Sequence, residues 1–544
     1  MNIMTEPQPP IGDAPAEPRI IGHVLSTAGS QVVALLDNEL ADVEAVQMGG
    51  LVSIRTPHTM IYGIINSLAT KMARRRDEGG VVRTAEIGLL GEIAHGASER
   101  GAGFRRGVSR LPPLDAPVSS VRREETTAVY ALPGRPTVTV GNVHQDPDVP
   151  ARLAINDLLS KHFAVLGTTG TGKSCGITVM LKRILEQNAD AHVLILDPHG
   201  EYSQAFGDKS EVLTIDNFRL PYWLFNFDEF TEVLFGVRKP DMAAEAMVLR
   251  EVLVAARMRS AHRNTDPRTI TVDSPLPYIF SDLIGRLDAA MGKLDQQRNL
   301  QTYLRLKEAL TTLRSDRRFE FMFETSLTVR DSLGELLGRL FRVPSDGKPV
   351  AIFDLGGIPS EVLNVVVGVV SRLAFDFAFW SRQRIPVLLV CDEAHRFAAQ
   401  SATDQFALAR RALTQIANEG RKYGIGLGIV SQRPSELAAN VLSQCNTVFA
   451  FRTTNERDQE VLRAAMSDAS GAIVASLPYL SNSEAIAIGE GVPVPMRLRF
   501  ATLPDNERPR SSSAPFSERW NDGGLADESE LGRVVTAFRS RRAE

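Results

Sequence analysis

The stretch Gly167-Thr168-Thr169-Gly170-Thr171-Gly172-Lys173-Ser174 matches the pattern G-x-x-x-x-G-K-S/T at every fixed position. The apolar run before it, His162-Phe163-Ala164-Val165-Leu166, predicts a short strand. A helix is predicted after it, because apolar side chains recur at helical spacing at Ile177, Met180, Leu181 and Ile184. Glycines let backbone N–H groups approach phosphate oxygens, and a helix presents its positive N-terminus to them. A glycine-rich turn without nucleotide is the alternative, but the flanking strand and helix favour a loop that binds nucleotide phosphates.

The loop motif assigns chemistry to particular residues. Lys173 is expected to contact the β- and γ-phosphates of ATP and to act in catalysis, and Ser174 is expected to ligate Mg²⁺. The full set predicted to bind the nucleotide from this motif is Thr169, Gly170, Thr171, Gly172, Lys173, Ser174 and Cys175. ATP and Mg²⁺ are therefore the predicted cofactors.

A second apolar strand, Leu388-Leu389-Val390-Cys391, ends in the carboxylates Asp392 and Glu393. Asp392 is expected to hold Mg²⁺ through its water shell, and Glu393 is expected to polarise the attacking water as a general base. The adjacent glutamate favours a hydrolysing motor over a small-molecule kinase. With His395 the string becomes Asp-Glu-Ala-His, which also occurs in a class of monomeric RNA helicases, but no second motor domain of similar pattern follows.

Two further polar positions are candidates for catalysis. Gln432, with Ser431, ends the next predicted strand, where an amide could sense the γ-phosphate or orient the attacking water; an ordinary strand-end cap is the alternative. Arg421 lies between a predicted helix end and the turn at Gly424. It suits a finger that reaches the γ-phosphate of a neighbouring subunit. A helix C-cap arginine fits the sequence equally well.

The pattern along the chain predicts an α/β fold. Strand, helix and strand between residues 162 and 197 form a βαβ unit, which implies a parallel sheet. Further buried strands are predicted at 350–354, 387–392, 426–431 and 447–451. Short alternating segments from Arg19 to about Val140 predict a small β-barrel or sandwich. The intervening helical stretch is expected to bury one helix face near Leu300, Leu304, Leu310 and Leu313.

These patterns suggest a division of the chain into segments. The predicted boundaries are 1–17 for a disordered tail, 18–145 for an N-terminal β-barrel, 146–225 for the first part of an ATPase core, 226–347 for a helical insertion, 348–504 for the second part of the core, and 505–544 for a C-terminal tail. The tail is interpreted as mobile or as a docking arm.

The bulk composition limits the class of protein. The chain has 544 residues, of which 43% are hydrophobic and 23% charged, and its net charge of −4 gives no global nucleic-acid signature. Three widely spread cysteines without a CxxC motif predict a reducing, cytoplasmic location. The N-terminus is not a predicted signal peptide. The longest apolar run, residues 365–380, is interrupted by Ser371, Arg372 and Asp376, so neither a membrane span nor a membrane partner is expected.

Several strings together resemble the HerA family of hexameric DNA translocases, which are relatives of FtsK and of conjugative ATPases. They are residues 162–170, Leu196-Asp197-Pro198-His199-Gly200-Glu201-Tyr202, Asp392-Glu393-Ala394-His395-Arg396-Phe397 and Glu419-Gly420-Arg421-Lys422-Tyr423-Gly424. The string from Asp197 to Tyr202 is the most specific to the group. Residues 104–109 with Pro112-Pro113 resemble the small β-barrel of the family. The resemblance extends from about Arg19 to Pro504.

This resemblance implies a RecA-like P-loop core with a helical insertion and an N-terminal β-barrel, arranged as a homo-hexameric ring around double-stranded DNA. Nucleotide would lie between subunits, and Arg421 would be a finger that acts on a neighbouring subunit. Lys161 matches a position often occupied by an arginine that contacts nucleotide. Ile488 and Gly489 resemble a segment that closes over the nucleotide.

HerA-type motors usually act with a partner. The resemblance implies a NurA-like nuclease or a sirtuin-like NAD⁺-consuming effector that docks on the β-barrel face, in DNA-end processing or anti-phage defence. An ATP-regulated scaffold that assembles and activates such an effector is one alternative. A conjugative or secretion-type ATPase is the other, and it predicts association with a membrane.

Overall fold

The computed structural model describes most of the chain. The described residues are 19–37, 46–72, 81–95, 103–236, 241–260, 266–292, 297–323, 331–400, 406–466, 471–510, 516–521 and 528–540. The predicted disordered tail, residues 1–17, lies outside them. The described residues form two compact units, one made of those within 1–156 and 447–501 and the other of those within 157–446 and 502–544. The domain boundaries proposed from the sequence stay a prediction.

The elements are numbered along the chain. The strands are β1 (Ile20–Ala28), β2 (Gln31–Leu36), β3 (Leu51–Arg55), β4 (Thr59–Met72), β5 (Val81–Ala94), β6 (Arg105–Arg106), β7 (Pro117–Ser120), β8 (Thr137–Val143), β9 (Pro150–Ala154), β10 (Phe163–Leu166), β11 (Val193–Asp197), β12 (Ser210–Leu213), β13 (Val350–Asp354), β14 (Val387–Cys391), β15 (Ile425–Ser431), β16 (Thr447–Phe451), β17 (Glu484–Gly489) and β18 (Met496–Phe500). The helices are α1 (Arg123–Val129), α2 (Ile155–Ser160), α3 (Lys173–Gln187), α4 (Phe227–Phe235), α5 (Ala243–Ser260), α6 (Phe280–Met291), α7 (Gln297–Ser315), α8 (Leu333–Phe341), α9 (Ser360–Ser381), α10 (Ala407–Glu419), α11 (Ala439–Leu442), α12 (Glu456–Ala465), α13 (Gly471–Ala475), α14 (Phe516–Asn521) and α15 (Glu528–Ser540).

The first unit contains a closed antiparallel barrel. Its strands follow the order β2-β1-β7-β3-β4-β5, and β5 pairs back with β2, so that the ring closes. Residues alternate between the interior and solvent, as in β2, where Val32, Ala34 and Leu36 are buried and their neighbours are more exposed. The barrel predicted for the N-terminal region is therefore confirmed, and closure decides between the barrel and the sandwich.

The rest of the first unit includes an antiparallel sheet in the order β16-β17-β18-β8-β9. Glu484, at the start of β17, is fully buried and accepts hydrogen bonds from Arg497 at 2.6 Å and Arg499 at 2.7 Å. Although burial acts to raise it, these two arginines lower the pKa of Glu484 to about 2. The buried carboxylate is thus held as an ion paired with β18. The sequence analysis placed no strand at either β17 or β18.

The second unit contains a parallel sheet in the order β12-β13-β11-β14-β15-β10. The strands predicted near residues 162–166, 192–197, 350–354, 387–392 and 426–431 are all present, and β12 is an addition. Every residue of β10, β11, β14 and β15 is buried, which explains why these strands were readable as apolar runs. Because the strands are parallel, their carboxyl ends meet at one edge, and β15 alone separates β10 from β14.

Helices α4 to α8 follow β12 and form the predicted helical insertion. In α7 the buried leucines are Leu306, Leu310 and Leu313, whereas Leu304 is 49% exposed. The expectation that Leu304 lies on the buried face was therefore wrong. Residues 306, 310 and 313 follow the i, i+4, i+7 spacing of one face, and a position two residues before 306 points to the opposite side of the helix.

No segment long enough to span a membrane is expected from the sequence, and helix α9 corrects this expectation on length and composition alone. Residues Glu361–Ser381 are long and apolar enough to cross a membrane by length and composition, and 78% of the most apolar window is buried inside the structure. The core helix of a soluble protein passes the same test. Arg372 in this helix pairs with Glu229 at 2.6 Å and Asp376 at 2.7 Å and donates to the Leu224 carbonyl. The polar residue that interrupts the apolar run thereby ties α9 to α4.

Candidate nucleotide-binding site

The glycine loop lies between β10 and α3, as predicted. Gly170 and Gly172 adopt φ values of +75° and +104°, which favour glycine because a side chain would be strained there. Lys173 is the first residue of α3 and is only 8% exposed; its Nζ donates to the Thr168 carbonyl at 3.0 Å. The Thr171 hydroxyl donates to the same carbonyl at 2.7 Å. The Lys173 ammonium is therefore folded back over the loop, where a phosphate would lie.

Asp392 and Glu393 follow β14 at the same edge of the sheet. Asp392 is buried, and its Oδ1 accepts the N–H of Glu393 at 2.9 Å. Burial and the adjacent Glu393 raise the pKa of Asp392 well above its usual value. Burial also raises the pKa of Glu393, which Lys173 opposes. Glu393 has a left-handed backbone, with φ of +48°, and strained residues of this kind cluster at functional sites.

Gln432 connects the loop with the carboxylates. It follows β15, and its Oε1 accepts a hydrogen bond from the Thr169 hydroxyl of the loop. Its side chain also hydrogen-bonds Glu393. The structure thus brings together three residues that the sequence analysis selected separately. This position suits a residue that orients water beside Glu393; that role stays a prediction.

Glu201 is a residue of this edge to which the sequence analysis gave no role. It lies in the turn after β11, and its Oε2 accepts a hydrogen bond from the Ser174 hydroxyl at 2.7 Å. In the sequence alone, the string from Asp197 to Tyr202 indicates only a resemblance to a family. The sequence also carries a more direct signal for a role of Glu201 at the site. An acidic residue soon after a buried parallel strand lies at the sheet edge where the phosphate loop is expected.

The residues present fit a magnesium ion. Mg²⁺ prefers oxygen ligands and is usually held through one or two carboxylates and substrate phosphates. The Ser174 hydroxyl and the Asp392 carboxylate would supply such oxygens here, together with the nucleotide phosphates, because the described residues contain no group of three or more His, Cys, Asp or Glu side chains that could hold a metal alone. In addition, Glu393 Oε2 is buried and, within the described part of the chain, accepts no hydrogen bond, although Nδ1 of His395 lies 3.1 Å from it. Besides burial, Glu393 and Glu201 raise the pKa of Asp392, and Glu201 raises that of Glu393, so the negative charge at this edge calls for a compensating cation.

Arg421 and Lys161 lie at the opposite edge of the parallel sheet. Lys161 comes just before β10, and Arg421 precedes β15, so both are at the amino ends of strands whose carboxyl ends carry the loop and Gln432. Lys161 pairs with Asp157 at 2.9 Å. Arg421 is exposed, and its charge acts on His162. Neither cation is grouped with the phosphate loop of its own chain.

His162 at this edge gives a testable pH dependence. Its Nδ1 accepts the N–H of Leu427 at 3.0 Å, and burial lowers the pKa of His162 to about 4, helped by Arg421. The unfolded chain binds a proton near the ordinary value of about 6.5, so stability should fall as the pH drops from there toward 4. The histidine accounts for about 2 kcal/mol of that loss at pH 5.

The replacement His162→Asn keeps an acceptor for Leu427 and a residue type that tolerates a left-handed backbone. We expect urea unfolding between pH 7.5 and pH 5 to show a smaller loss of stability in this variant than in the wild type. His23→Asn, at an exposed position of the barrel, is the matched control and should leave the difference unchanged. An equal loss in wild type and His162→Asn would contradict the assignment.

The remaining predicted nucleotide contacts are less closely defined. Cys175 is partly buried beside the loop; burial raises its pKa, and Arg508 opposes this. Ile488 and Gly489 lie at the end of β17 in the first unit, where Arg106 donates to the Gly489 carbonyl at 3.1 Å. Their predicted role in closing over the nucleotide stays a prediction, as does that of Lys161.

The geometry of this site defines a class of protein. A phosphate loop, a buried lysine and a carboxylate pair meet at one edge of a parallel sheet because the strands that carry them point the same way. That arrangement is a P-loop ATPase with a RecA-like core. Among solved structures, VirB4 of Thermoanaerobacter pseudethanolicus has the same fold, with a TM-score of 0.51 at 18% identity over 69% of this chain and 98% of that chain.

Sequence comparisons find a family model and several relatives that resemble this chain. Residues 138–374 match the family described as "Helicase HerA, central domain". The DNA double-strand break repair helicase HerA of Pyrococcus furiosus is 27% identical over 406 residues, which cover 68% of this chain and 70% of the relative. A probable helicase of Methanocaldococcus jannaschii is 24% identical over 481 residues, covering 83% and 86%. Over its central part and along most of its length, the chain is therefore similar to HerA-type helicases.

Proposed function

We propose that this chain is an ATP-driven DNA translocase or helicase that assembles as a homo-hexameric ring. The observation that carries the proposal is the position of Arg421, at the edge of the sheet opposite to the phosphate loop of its own chain. A finger at that edge serves the nucleotide of a neighbouring subunit, so the active site is complete only in an assembly. Double-stranded DNA as the substrate is supported by relatives named DNA double-strand break repair helicases.

In the proposed reaction each residue has a defined task. Lys173 binds the β- and γ-phosphates of ATP, and Glu393 takes a proton from the attacking water, which Gln432 orients. When bound, Mg²⁺ supplies neutralisation of phosphate charge, and Ser174 and Asp392 would hold it. The buried, strained Glu393 beside Gln432 is suited to this base role.

The proposal also includes a protein partner and a cytoplasmic location. We place a nuclease or a sirtuin-like effector on the β-barrel, where Leu25, Leu111 and Leu114 are exposed apolar side chains. Such side chains are available for a protein contact, although singly they are ordinary surface features. DNA-end processing or anti-phage defence is the proposed setting. The three cysteines are free thiols, in accord with a reducing cytoplasm.

The test is ATP turnover with and without DNA. We expect double-stranded DNA to stimulate phosphate release, and the stimulation to fall steeply as salt rises, because phosphate contacts release counterions. Lys173→Ala should lower turnover by about 10²–10³-fold or more, since it removes a cation that stabilises charge on the transferred phosphoryl group. Lys209→Ala, an exposed lysine of the same unit, is the control. Normal turnover in Lys173→Ala would refute the site, and salt-independent DNA binding would count against the translocase.

A further inference from the structure

The proton of the Ser174 hydroxyl has a specific acceptor in this structure. Ser174 is the second residue of α3, and its Oγ donates to Glu201 Oε2 at 2.7 Å. A neutral hydroxyl that ligates a cation through an oxygen lone pair still carries its proton, which must be donated elsewhere. A carboxylate is a strong acceptor for it. The contact therefore orients Ser174 as a metal ligand requires.

The turn that carries Glu201 is fixed from both sides. Asp197, buried at the end of β11, accepts the N–H of Tyr202 at 2.9 Å and that of His199 at 3.3 Å. The Glu201 carbonyl accepts the N–H of Arg510 at 2.9 Å. Gly200 has a φ of +66°, which allows the tight turn between them. Because the backbone is held at these points, the Glu201 side chain is positioned to accept the hydrogen bond from Ser174.

The charge balance around Glu201 is negative. The Glu201 carboxylate repels the carboxylates of Asp392 and Glu393. Lys173 is a positive charge that interacts with all three of these carboxylates. Glu393 Oε2 is buried and lies 3.1 Å from Nδ1 of His395, but it has no hydrogen-bond partner among the described residues. Like charges held together are unfavourable unless a cation joins them. A divalent ion at this edge would offset the repulsion.

We propose that Glu201 is a positioning residue of the magnesium site. It holds the Ser174 proton, so that the oxygen lone pair faces the cation, and it adds a third negative charge to those of Asp392 and Glu393. The chain thereby prefers nucleotide with Mg²⁺ over free nucleotide. This inference rests on the proposed nucleotide chemistry of the loop and assigns a function to the turn after β11.

The test is binding of a fluorescent ADP analogue to the full chain, first in EDTA and then over a Mg²⁺ titration. Glu201→Ala should raise the Mg²⁺ concentration for half-maximal binding by about tenfold or more, because a charge-assisted hydrogen bond is lost. Binding of metal-free analogue should be unchanged or tighter, since a carboxylate near the phosphates is gone. Glu201→Gln keeps an acceptor without the charge, so its Mg²⁺ concentration for half-maximal binding should lie between those of the wild type and Glu201→Ala.

Glu186→Gln is the matched control, because Glu186 is an exposed glutamate of α3, the helix that carries Ser174, and it pairs with Arg183. It should behave as the wild type. Equal weakening of metal-free and Mg²⁺-loaded binding by Glu201→Ala would mark general damage to the loop and overturn the proposal. An unchanged Mg²⁺ requirement would also overturn it while leaving the proposed function intact. If the wild type binds no nucleotide at all, the proposed function itself fails.

Discussion

Replacing Glu393 with glutamine should lower ATP turnover by about 10²–10⁴-fold while nucleotide binding is kept. Glutamine has nearly the same shape and can still hydrogen-bond Gln432, but it cannot accept a proton from water. Phosphate release at saturating ATP and DNA measures the first effect, and binding of a fluorescent ADP analogue measures the second. Glu436→Gln, at an exposed glutamate paired with Arg433, is the control and should turn over normally.

The same variant separates two functional classes. A translocase that cannot hydrolyse ATP should fail to move along DNA and should not support its partner. An ATP-regulated scaffold should still assemble and activate the effector, because bound ATP sets its state without turnover. Full effector activity with Glu393→Gln would therefore show that motor action is not required. Normal ATP turnover in this variant would instead contradict the role of Glu393 as general base.

Arg421→Ala should lower turnover by about 10³–10⁵-fold, the range that an arginine finger contributes. The geometry makes this an effect between subunits. Strand β15 has seven residues, and at roughly 3.3 Å a residue it is about 23 Å long. That length separates Arg421 from the edge that carries Gln432, and an arginine side chain does not bridge it. Nucleotide binding by the variant should be kept, because its own loop is intact.

Mixing two inactive variants distinguishes a finger from a helix cap. Lys173→Ala has a defective loop and an intact finger, and Arg421→Ala has the reverse. Mixed assemblies should regain measurable turnover, since the finger of one subunit can serve the loop of the other. Lys422→Ala, at the adjacent exposed position, is the control and should stay active. Full turnover by Arg421→Ala alone would favour the helix-cap interpretation.

Much of the site could be predicted because its parts are short and contiguous. The loop from Gly167 to Ser174 needs its glycines and its lysine at fixed spacing, so the pattern is visible without the fold. Asp392 and Glu393 were recognisable because the strand before them is buried on both faces and stands out as an apolar run. Strands β13 and β16 were predicted at the bounds that the structure has, for the same reason.

Other features could not be read in this way. Glu201 and Ser174 are 27 positions apart, and only the fold of the turn after β11 brings them together. Strand β17 begins with the buried ion Glu484, whose arginine partners come from the next strand, so its first residue has no apolar signature. Leu304 was assigned to the wrong face of α7 because apolar residues occur on more than one face, and packing decides which of them is buried.

The sequence by itself determined the chemistry: a loop that binds phosphates, a carboxylate pair for hydrolysis and a parallel sheet to align them. These depend on local spacing and on uninterrupted apolar strands, which a linear pattern records. The tertiary structure decided which residues share an edge. It placed Glu201 against Ser174 and Gln432 between Thr169 and Glu393, and it set Arg421 at the far edge. Strand direction and sheet order determine these distances, and both depend on pairing between segments that are far apart in the sequence.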